Sequence, residues 1–189
     1  MPTSSSNQAN LVDALNLCKS LKIDYQIIDI SEILDKFLPF SDPNNRLRVG
    51  NIAARIRMII LYDHSSKFDF LVVGTSNKSE RMLGYGTIYG DMACALNPIA
   101  NIYKSDLFEF ASYLDIDKNI INKAPSADLW QNQSDENDLG YSYEQIDKLL
   151  KAIENNQDLS KFDNKFKDEI TTRIAKNSFK LKLPAIPNI

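Results

Sequence analysis

The chain has 189 residues, of which 43% are hydrophobic and 25% are charged, and its formal net charge is −3. This length allows one domain with a buried core, and the mild acidity argues against non-specific nucleic-acid binding, which requires a basic surface. Two distant cysteines and a single histidine argue against a disulfide scaffold, a zinc site and a Ser-His-Asp triad. Any divalent metal is therefore expected to have oxygen ligands, as magnesium has.

The first ten residues, MPTSSSNQAN, have neither the basic nor the apolar region of a signal peptide. No apolar run reaches the roughly 18 residues that a transmembrane helix needs. We therefore expect a cytoplasmic protein that makes no use of a membrane or of nucleic acid.

The spacing of apolar residues predicts six helices and two buried strands. The predicted helices cover residues 8–21, 31–38, 46–65, 104–114, 143–153 and 166–179. The predicted strands are two short runs rich in β-branched or aromatic residues, 24–30 and 68–73. Strands alternating with helices favour an α/β fold with a parallel sheet, and no linker divides residues 1–189, so we expect a single domain.

The second predicted strand leads into GTSNKSERMLGYGTIYGD, residues 74–91, which hold four of the six glycines. Ligands of open α/β sheets bind beyond the carboxyl ends of strands, and glycines let backbone N–H groups approach an anion. Thr75 could bond a nucleotide phosphate or sugar there, and Glu80 could coordinate magnesium. The alternative for Glu80 is a capping box with Asn77, in which the carboxylate only satisfies the start of a helix.

Three further positions have both a functional and a structural interpretation. Arg55, in GNIAARIRM, could bind a phosphate or carboxylate, or could lie on the wet face of a helix. Lys104 begins a predicted helix, where a cation is electrostatically unfavourable; this hints at an anionic ligand, but lysine is common enough to stand there without one. Ser126, in APSADL, could bond phosphate or could form a short turn.

The string at 74–91, followed by NPI, Lys104 and PSADL, closely resembles the ammonia-dependent NAD synthetase family. GNIAARIRM and MPTSSSNQ fit the same family, and the similarity runs in order along nearly the whole chain. The family belongs to the N-type ATP pyrophosphatases. The resemblance implies a Rossmann-like parallel sheet flanked by helices, of the adenine nucleotide alpha hydrolase type, and a homodimer.

The resemblance also implies an activity, that of a ligase in NAD biosynthesis. The carboxylate of deamido-NAD attacks the α-phosphorus of ATP, and ammonia then displaces AMP from the adenylated intermediate to give NAD. Magnesium is the implied cofactor, and no protein nucleophile is implied.

Site residues follow from the resemblance by position. The implied ATP contacts are Thr75, Lys104 and Ser126. The implied magnesium ligand is Glu80. The implied deamido-NAD contacts are Arg55, Asp91 and Lys180.

The sequence departs from the family pattern at several of the polar deamido-NAD positions. Ile88 and Ala95 stand at two of them, and Phe179 stands where many members have a histidine before the lysine. Residues 126–140 match a family segment that orders on ligand binding, so we expect a lid there.

The largest departure is that no SGGxDS string occurs in the sequence. In the family this string follows the first strand, cradles the ATP pyrophosphate and supplies a magnesium-binding aspartate. We therefore expect the first strand and the phosphate-binding loop to be missing from this chain, and the chain alone to be inactive. The alternative is a catalytically dead nucleotide-binding or dimerisation module of the same fold.

Overall fold

A computed structural model describes residues 1–130 and 132–187 of the chain. Within these residues there are two 3₁₀ helices, Leu38–Phe40 and Ser178–Leu181. The α-helices in the same residues are α1 (Gln8–Leu21), α2 (Ser31–Phe37), α3 (Arg46–Phe68), α4 (Lys78–Leu83), α5 (Lys104–Tyr113), α6 (Lys118–Ile121), α7 (Asp135–Leu139), α8 (Tyr143–Glu154) and α9 (Asn164–Asn177).

The predicted helices are confirmed, with small differences at their ends. The prediction for α1 matches residue for residue, because the Asn7 side chain accepts a hydrogen bond from the Ala9 N–H and begins the helix there. Helix α3 continues to Phe68, three residues beyond its predicted end, and stops where Asp69 adopts a left-handed conformation. Proline at position 39 ends α2 in a 3₁₀ turn, as a missing N–H requires.

The two predicted strands are not formed as strands. Residues 24–30 have no regular secondary structure, and Phe68 belongs to α3. Across the part of the chain that the structure describes, the one β pairing is an isolated parallel bridge between Val73 and Leu96. A strand needs a neighbouring strand to pair with its N–H and C=O groups. Among the described residues, only a short run lies beside Val73, so no longer ladder forms.

The larger hydrophobic core lies in the C-terminal part of the chain, around α8. Six residues of this helix are buried, compared with four in α3. Helices α4, α5 and α9 pack around the core. The buried members of this C-terminal core are Leu83, Tyr103, Leu139, Tyr143, Ile146, Leu149, Leu150 and Ile170.

A smaller N-terminal core joins α2 and α3. Its buried residues are Ile30, Leu34, Ala53 and Ile56. Ile30, from the first strand-like segment, belongs to this core and Ile28 packs against it, whereas Phe70 and Leu71 of the second segment are 70% and 72% exposed. None of the helices in the described ranges combines the length and hydropathy needed to cross a bilayer.

Candidate active site

A cavity of about 1050 Å³ opens where residues 74–91 meet α3, α9 and the segment before α7. Six of the seven residues that the sequence predicted as site residues line this cavity. They are Thr75, Glu80, Asp91, Lys104, Ser126 and Lys180. Side chains more than 100 residues apart in sequence are thus brought to one place.

The sequence left two roles open for Glu80, helix capping and metal coordination, and its position allows both. One carboxylate oxygen, Oε2, accepts the Asn77 N–H at 3.1 Å, while Asn77 Oδ1 accepts the Glu80 N–H at 3.0 Å, so the capping box is formed. The other oxygen, Oε1, lies 3.3 Å from Lys104 Nζ at the cavity wall. Burial raises the pKa of Glu80 above its ordinary value, and the ammonium and the Asn77 N–H oppose that shift.

Lys104 is the first residue of α5, and its ammonium lies next to the carboxylate of Glu80 in α4. Its ammonium also lies 5.6 Å from the centre of the Tyr143 ring, a distance at which a cation is attracted to an aromatic face. The lysine lines a second cavity of about 920 Å³ as well, together with the Ser4–Asn10 region. It therefore lines both cavities.

Thr75 and Ser126 are exposed residues that line the main cavity. Thr75 follows Gly74, whose N–H donates to the Leu96 carbonyl at 2.7 Å, and a Cβ on Gly74 would meet Cys94 Sγ. Ser126 Oγ accepts the Asp128 N–H at 3.1 Å, so the turn interpretation from the sequence is realised. Its hydroxyl hydrogen remains available to a ligand. Trp130 lies close by and lines both cavities.

Lys180 and Asp91 organise the glycine-rich side of the cavity. Lys180 Nζ donates to the carbonyls of Gly84 and Gly86, at 2.7 and 3.0 Å. Burial lowers the pKa of Lys180, Arg173 lowers it further, and Asp91 opposes the change. Asp91 also lines the cavity, and its Oδ1 accepts the Thr87 N–H at 2.9 Å.

Arg55 is the one predicted site residue that does not line the cavity. It lies exposed on α3, where its guanidinium donates to the Ile88 carbonyl at 3.3 Å. Arg57, two residues further along, lines the cavity instead and donates through Nε to the Met1 carbonyl. Burial lowers the pKa of Arg57, and Asp128 and Asp91 oppose the shift. The sequence contained this arginine in the same motif, but helical spacing could not say which of the two faces inward.

Sequence analysis missed a tyrosine–carboxylate network beside Glu80. Tyr85 donates to Asp135 and Asp138, at 3.2 and 2.8 Å, and Tyr143 donates to the other oxygen of Asp135 at 3.1 Å. Burial raises the pKa of Asp135 and of both tyrosines. Asp135 begins α7 inside the segment predicted to be a lid. The only signal in the sequence was the acidic run SDEND, which is more often a solvated surface.

The donor set fits a magnesium ion that is held mainly by substrate phosphates. Within residues 1–130 and 132–187, no three acidic, histidine or cysteine side chains are grouped as an all-protein metal site. Magnesium is commonly bound by one or two carboxylates together with phosphate oxygens and waters. Glu80 is a carboxylate on the cavity wall that could take part in such a site.

Comparison with known proteins gives the family. The family model described as NAD synthase matches residues 1–184. The NH(3)-dependent NAD(+) synthetase of Campylobacter jejuni strain 81-176 is 54% identical, covering 100% of this chain and 78% of its own length. The Helicobacter pylori strain 26695 enzyme of the same name is 50% identical, covering 98% of this chain and 75% of its own length. The chain therefore belongs to the NAD synthase family.

Solved structures agree with the sequence comparison. The NH3-dependent NAD synthetase of C. jejuni NCTC 11168, in complex with nitrate, superimposes with a TM-score of 0.85 at 46% identity. NMN synthetase from Francisella tularensis superimposes with a TM-score of 0.89 at 34% identity. Each match covers 100% of this chain and 76% of the other. The predicted resemblance and the Rossmann-like α/β fold class are confirmed, although the described residues here form only one β-bridge.

Proposed function

We propose that the chain acts in the ATP-dependent amidation of deamido-NAD by ammonia, giving NAD, AMP and pyrophosphate. The relatives from Campylobacter and Helicobacter are named for ammonia-dependent NAD synthesis, and the match extends over essentially all of this chain. The observation that carries the proposal is the Glu80–Lys104 pair on the cavity wall, with Thr75 and Ser126 lining the same cavity. These are the positions that the family uses for ATP and its metal.

A carboxylate is a poor acyl donor, so amidation needs an activated leaving group. Attack of the nicotinate carboxylate on the α-phosphorus forms a C–O–P bond and releases pyrophosphate. Attack of ammonia on the activated carbonyl forms the C–N bond, releases AMP and loses one proton to water. Neither step requires a protein nucleophile, so the chain contributes positioning and charge neutralisation.

Lys104 would neutralise ATP phosphate charge, because it lines the cavity and its ammonium lies 3.3 Å from the Glu80 carboxylate there. Thr75 and Ser126, which line the same cavity, would supply hydroxyl donors to ATP. The Glu80 carboxylate, oriented by the Asn77 N–H on Oε2, would be the protein ligand of a magnesium ion. The ion, when bound, screens the phosphate charge that would repel the attacking carboxylate.

The glycine-rich side of the cavity is the proposed deamido-NAD side. Asp91 and Lys180 line this side of the cavity and carry opposite charges. Arg55 lies outside the cavity, where it donates to the carbonyl of Ile88 in the same loop. We include Arg55 as a deamido-NAD contact from its position in the family motif. Residues 126–140 remain the proposed lid over the site, and a homodimer in the cytoplasm remains the proposed assembly and location.

Isothermal titration with MgATP and with deamido-NAD tests the proposal directly. We expect wild-type chain to bind both, and Lys104→Ala to weaken MgATP binding by about tenfold or more, because a charged contact to phosphate is lost. Deamido-NAD affinity should stay within about twofold in the same variant. Lys118→Ala, an exposed lysine on α6, is the matched control.

Turnover is the second measurement, followed as NAD formed from deamido-NAD, ATP, magnesium and ammonium. Because no SGGxDS string occurs in the sequence, we expect the chain alone to form no measurable NAD. Nicotinate mononucleotide is tested in parallel, since an NMN synthetase is among the structural matches. The proposed site would be overturned if the chain bound neither deamido-NAD nor nicotinate mononucleotide. It would also be overturned if Lys104→Ala left MgATP binding unchanged.

A further inference from the structure

Helix α5 begins at the site residue Lys104 without a cap of its own. Its N-cap residue, Tyr103, makes no side-chain capping hydrogen bond. The first N–H groups of any α-helix lack partners within the helix and need them from elsewhere, especially when they are buried. Two such groups here, the Lys104 and Ser105 N–H, are satisfied from other helices.

Ser79 of α4 and Asp147 of α8 supply the missing cap. Ser79 Oγ accepts the Lys104 N–H at 2.9 Å and donates its own proton to Asp147 Oδ1 at 2.5 Å. Asp147 Oδ2 accepts the Ser105 N–H at 2.8 Å. Ser79 has no exposed surface and Asp147 is 1% exposed, so water does not compete with these bonds.

The same arrangement addresses the unfavourable position of a cation at a helix start. The N-terminus of a helix carries partial positive charge, which repels the ammonium of Lys104. A buried carboxylate bonded to that N-terminus has the opposite sign and offsets it. The Lys104 ammonium can therefore lie at the start of α5, near anionic ligands, although the helix dipole disfavours a cation at that position.

We infer that Ser79 and Asp147 are positioning residues of the nucleotide site, which hold the Lys104 ammonium against Glu80. Ser79 immediately precedes Glu80 in α4, so one residue fixes both partners of the 3.3 Å ion pair. Neither Ser79 nor Asp147 lines the cavity. They act on the ligand only through Lys104, and this inference rests on the proposed function.

A double-mutant cycle on MgATP affinity separates positioning from general structural support. We expect Ser79→Ala to weaken MgATP binding by about fivefold to tenfold, and to cause no further loss when Lys104 is already alanine. Deamido-NAD affinity should change by less than about twofold, because Asp91 and Lys180 are untouched. Ser79→Thr, which keeps the hydroxyl, should restore most of the MgATP affinity.

Ser112→Ala is the matched control, since Ser112 lies on the same helix and its hydroxyl bonds only the Phe108 carbonyl. It should leave MgATP affinity unchanged. An equal loss from Ser79→Ala in the wild-type and Lys104→Ala backgrounds would overturn the inference, because the serine would then act independently of the lysine.

Lysine acetylation followed by mass spectrometry gives a readout that needs no ligand. Lys104 should react more slowly than the exposed Lys148 in wild-type chain, and Ser79→Ala should raise its rate by about threefold or more as the pair with Glu80 loosens. An unchanged Lys104 rate overturns the inference. If wild-type chain binds no MgATP at all, the proposed function fails, whereas the acetylation comparison still decides whether Ser79 positions Lys104.

Discussion

The N-terminal and C-terminal regions of this molecule contain similar kinds of sequence but pack very differently. Residues 74–187 build their core around α8, with Ile146, Leu149 and Leu150 completely buried. Residues 1–73 contain equally apolar segments, yet Phe70 and Leu71 are mostly exposed. The difference teaches that a helix satisfies its backbone hydrogen bonds within its own segment, while a strand depends on neighbours that can lie anywhere in the chain.

The strongest test of this contrast uses one chemical change at two places. Leu149→Ala should lower the free energy of unfolding by about 2–5 kcal/mol, because it leaves a cavity in a fully packed core. Leu71→Ala should change it by less than about 0.5 kcal/mol, because that side chain is 72% exposed. Urea unfolding followed by circular dichroism measures both. Equal losses would mean that the two regions are packed alike.

A backbone test within the C-terminal region comes next in size. Gly84 ends α4 at a φ of +60°, and a Cβ there would overlap Asn177 of α9. We expect Gly84→Ala to cost about 2–4 kcal/mol, from left-handed strain and overpacking together. Gly140, at a φ of +81° with open space around it, is the matched control and should cost only about 1–2 kcal/mol. Similar losses at both glycines would mean that overlap with Asn177 contributes little to the loss at Gly84.

The buried carboxyl of Asp135 should make part of the stability depend on pH. Burial raises its pKa above the ordinary 3.8, so the folded chain binds more protons than the unfolded chain between the two values. Stability contributed by this group therefore falls as pH rises through the raised pKa. Glu80, whose pKa burial also raises, contributes a change of the same sign.

Asp135→Asn should flatten this part of the profile of unfolding free energy against pH. The bonds from Tyr85 and Tyr143 are altered in the variant at every pH, so the slope is the informative quantity. Asp158→Asn gives the contrast of sign. Hydrogen bonds from Ser160 lower the pKa of Asp158, and its stabilisation is lost as pH falls. A slope that Asp135→Asn leaves unchanged contradicts the assignment.

The smallest expected effect lies in the N-terminal region. Phe40 is 86% exposed at the end of a 3₁₀ turn, so Phe40→Ser should change unfolding free energy by no more than about 0.5 kcal/mol. Thermal unfolding measures the change, and Tyr143→Ser, at a buried ring, is the destabilising comparison. A large loss at Phe40 would reveal packing that the exposed fraction does not show.

Sequence alone predicted the helices well and the strands poorly, and the reason is physical. Helical hydrogen bonds close within four residues, so apolar spacing and caps such as Asn7 contain most of the information. The run at 68–73 looked like a strand because its residues suit a pleated surface. Pairing decides, however, and among described residues only Val73 finds a partner, on Leu96.

The site shows the same division. Glu80 was predicted from its motif, and its cap follows from local chemistry, whereas its pairing with Lys104, 24 residues away, was not predicted. The Ser79–Asp147 bond joins residues 68 positions apart, and nothing in either local sequence indicates it. Arg57 was indistinguishable from Arg55 until α3 had a defined orientation.

Trp130 gives the molecule an optical property of its own. It is the single tryptophan among 189 residues, and it lines the wall of both cavities, within five residues of Ser126 and Asp135. Indole emission from the whole protein therefore originates at one point beside the site. A shift in its wavelength or intensity on adding a nucleotide reports the surroundings of that ring and of no other, so the chain has a built-in spectroscopic probe that needs no label.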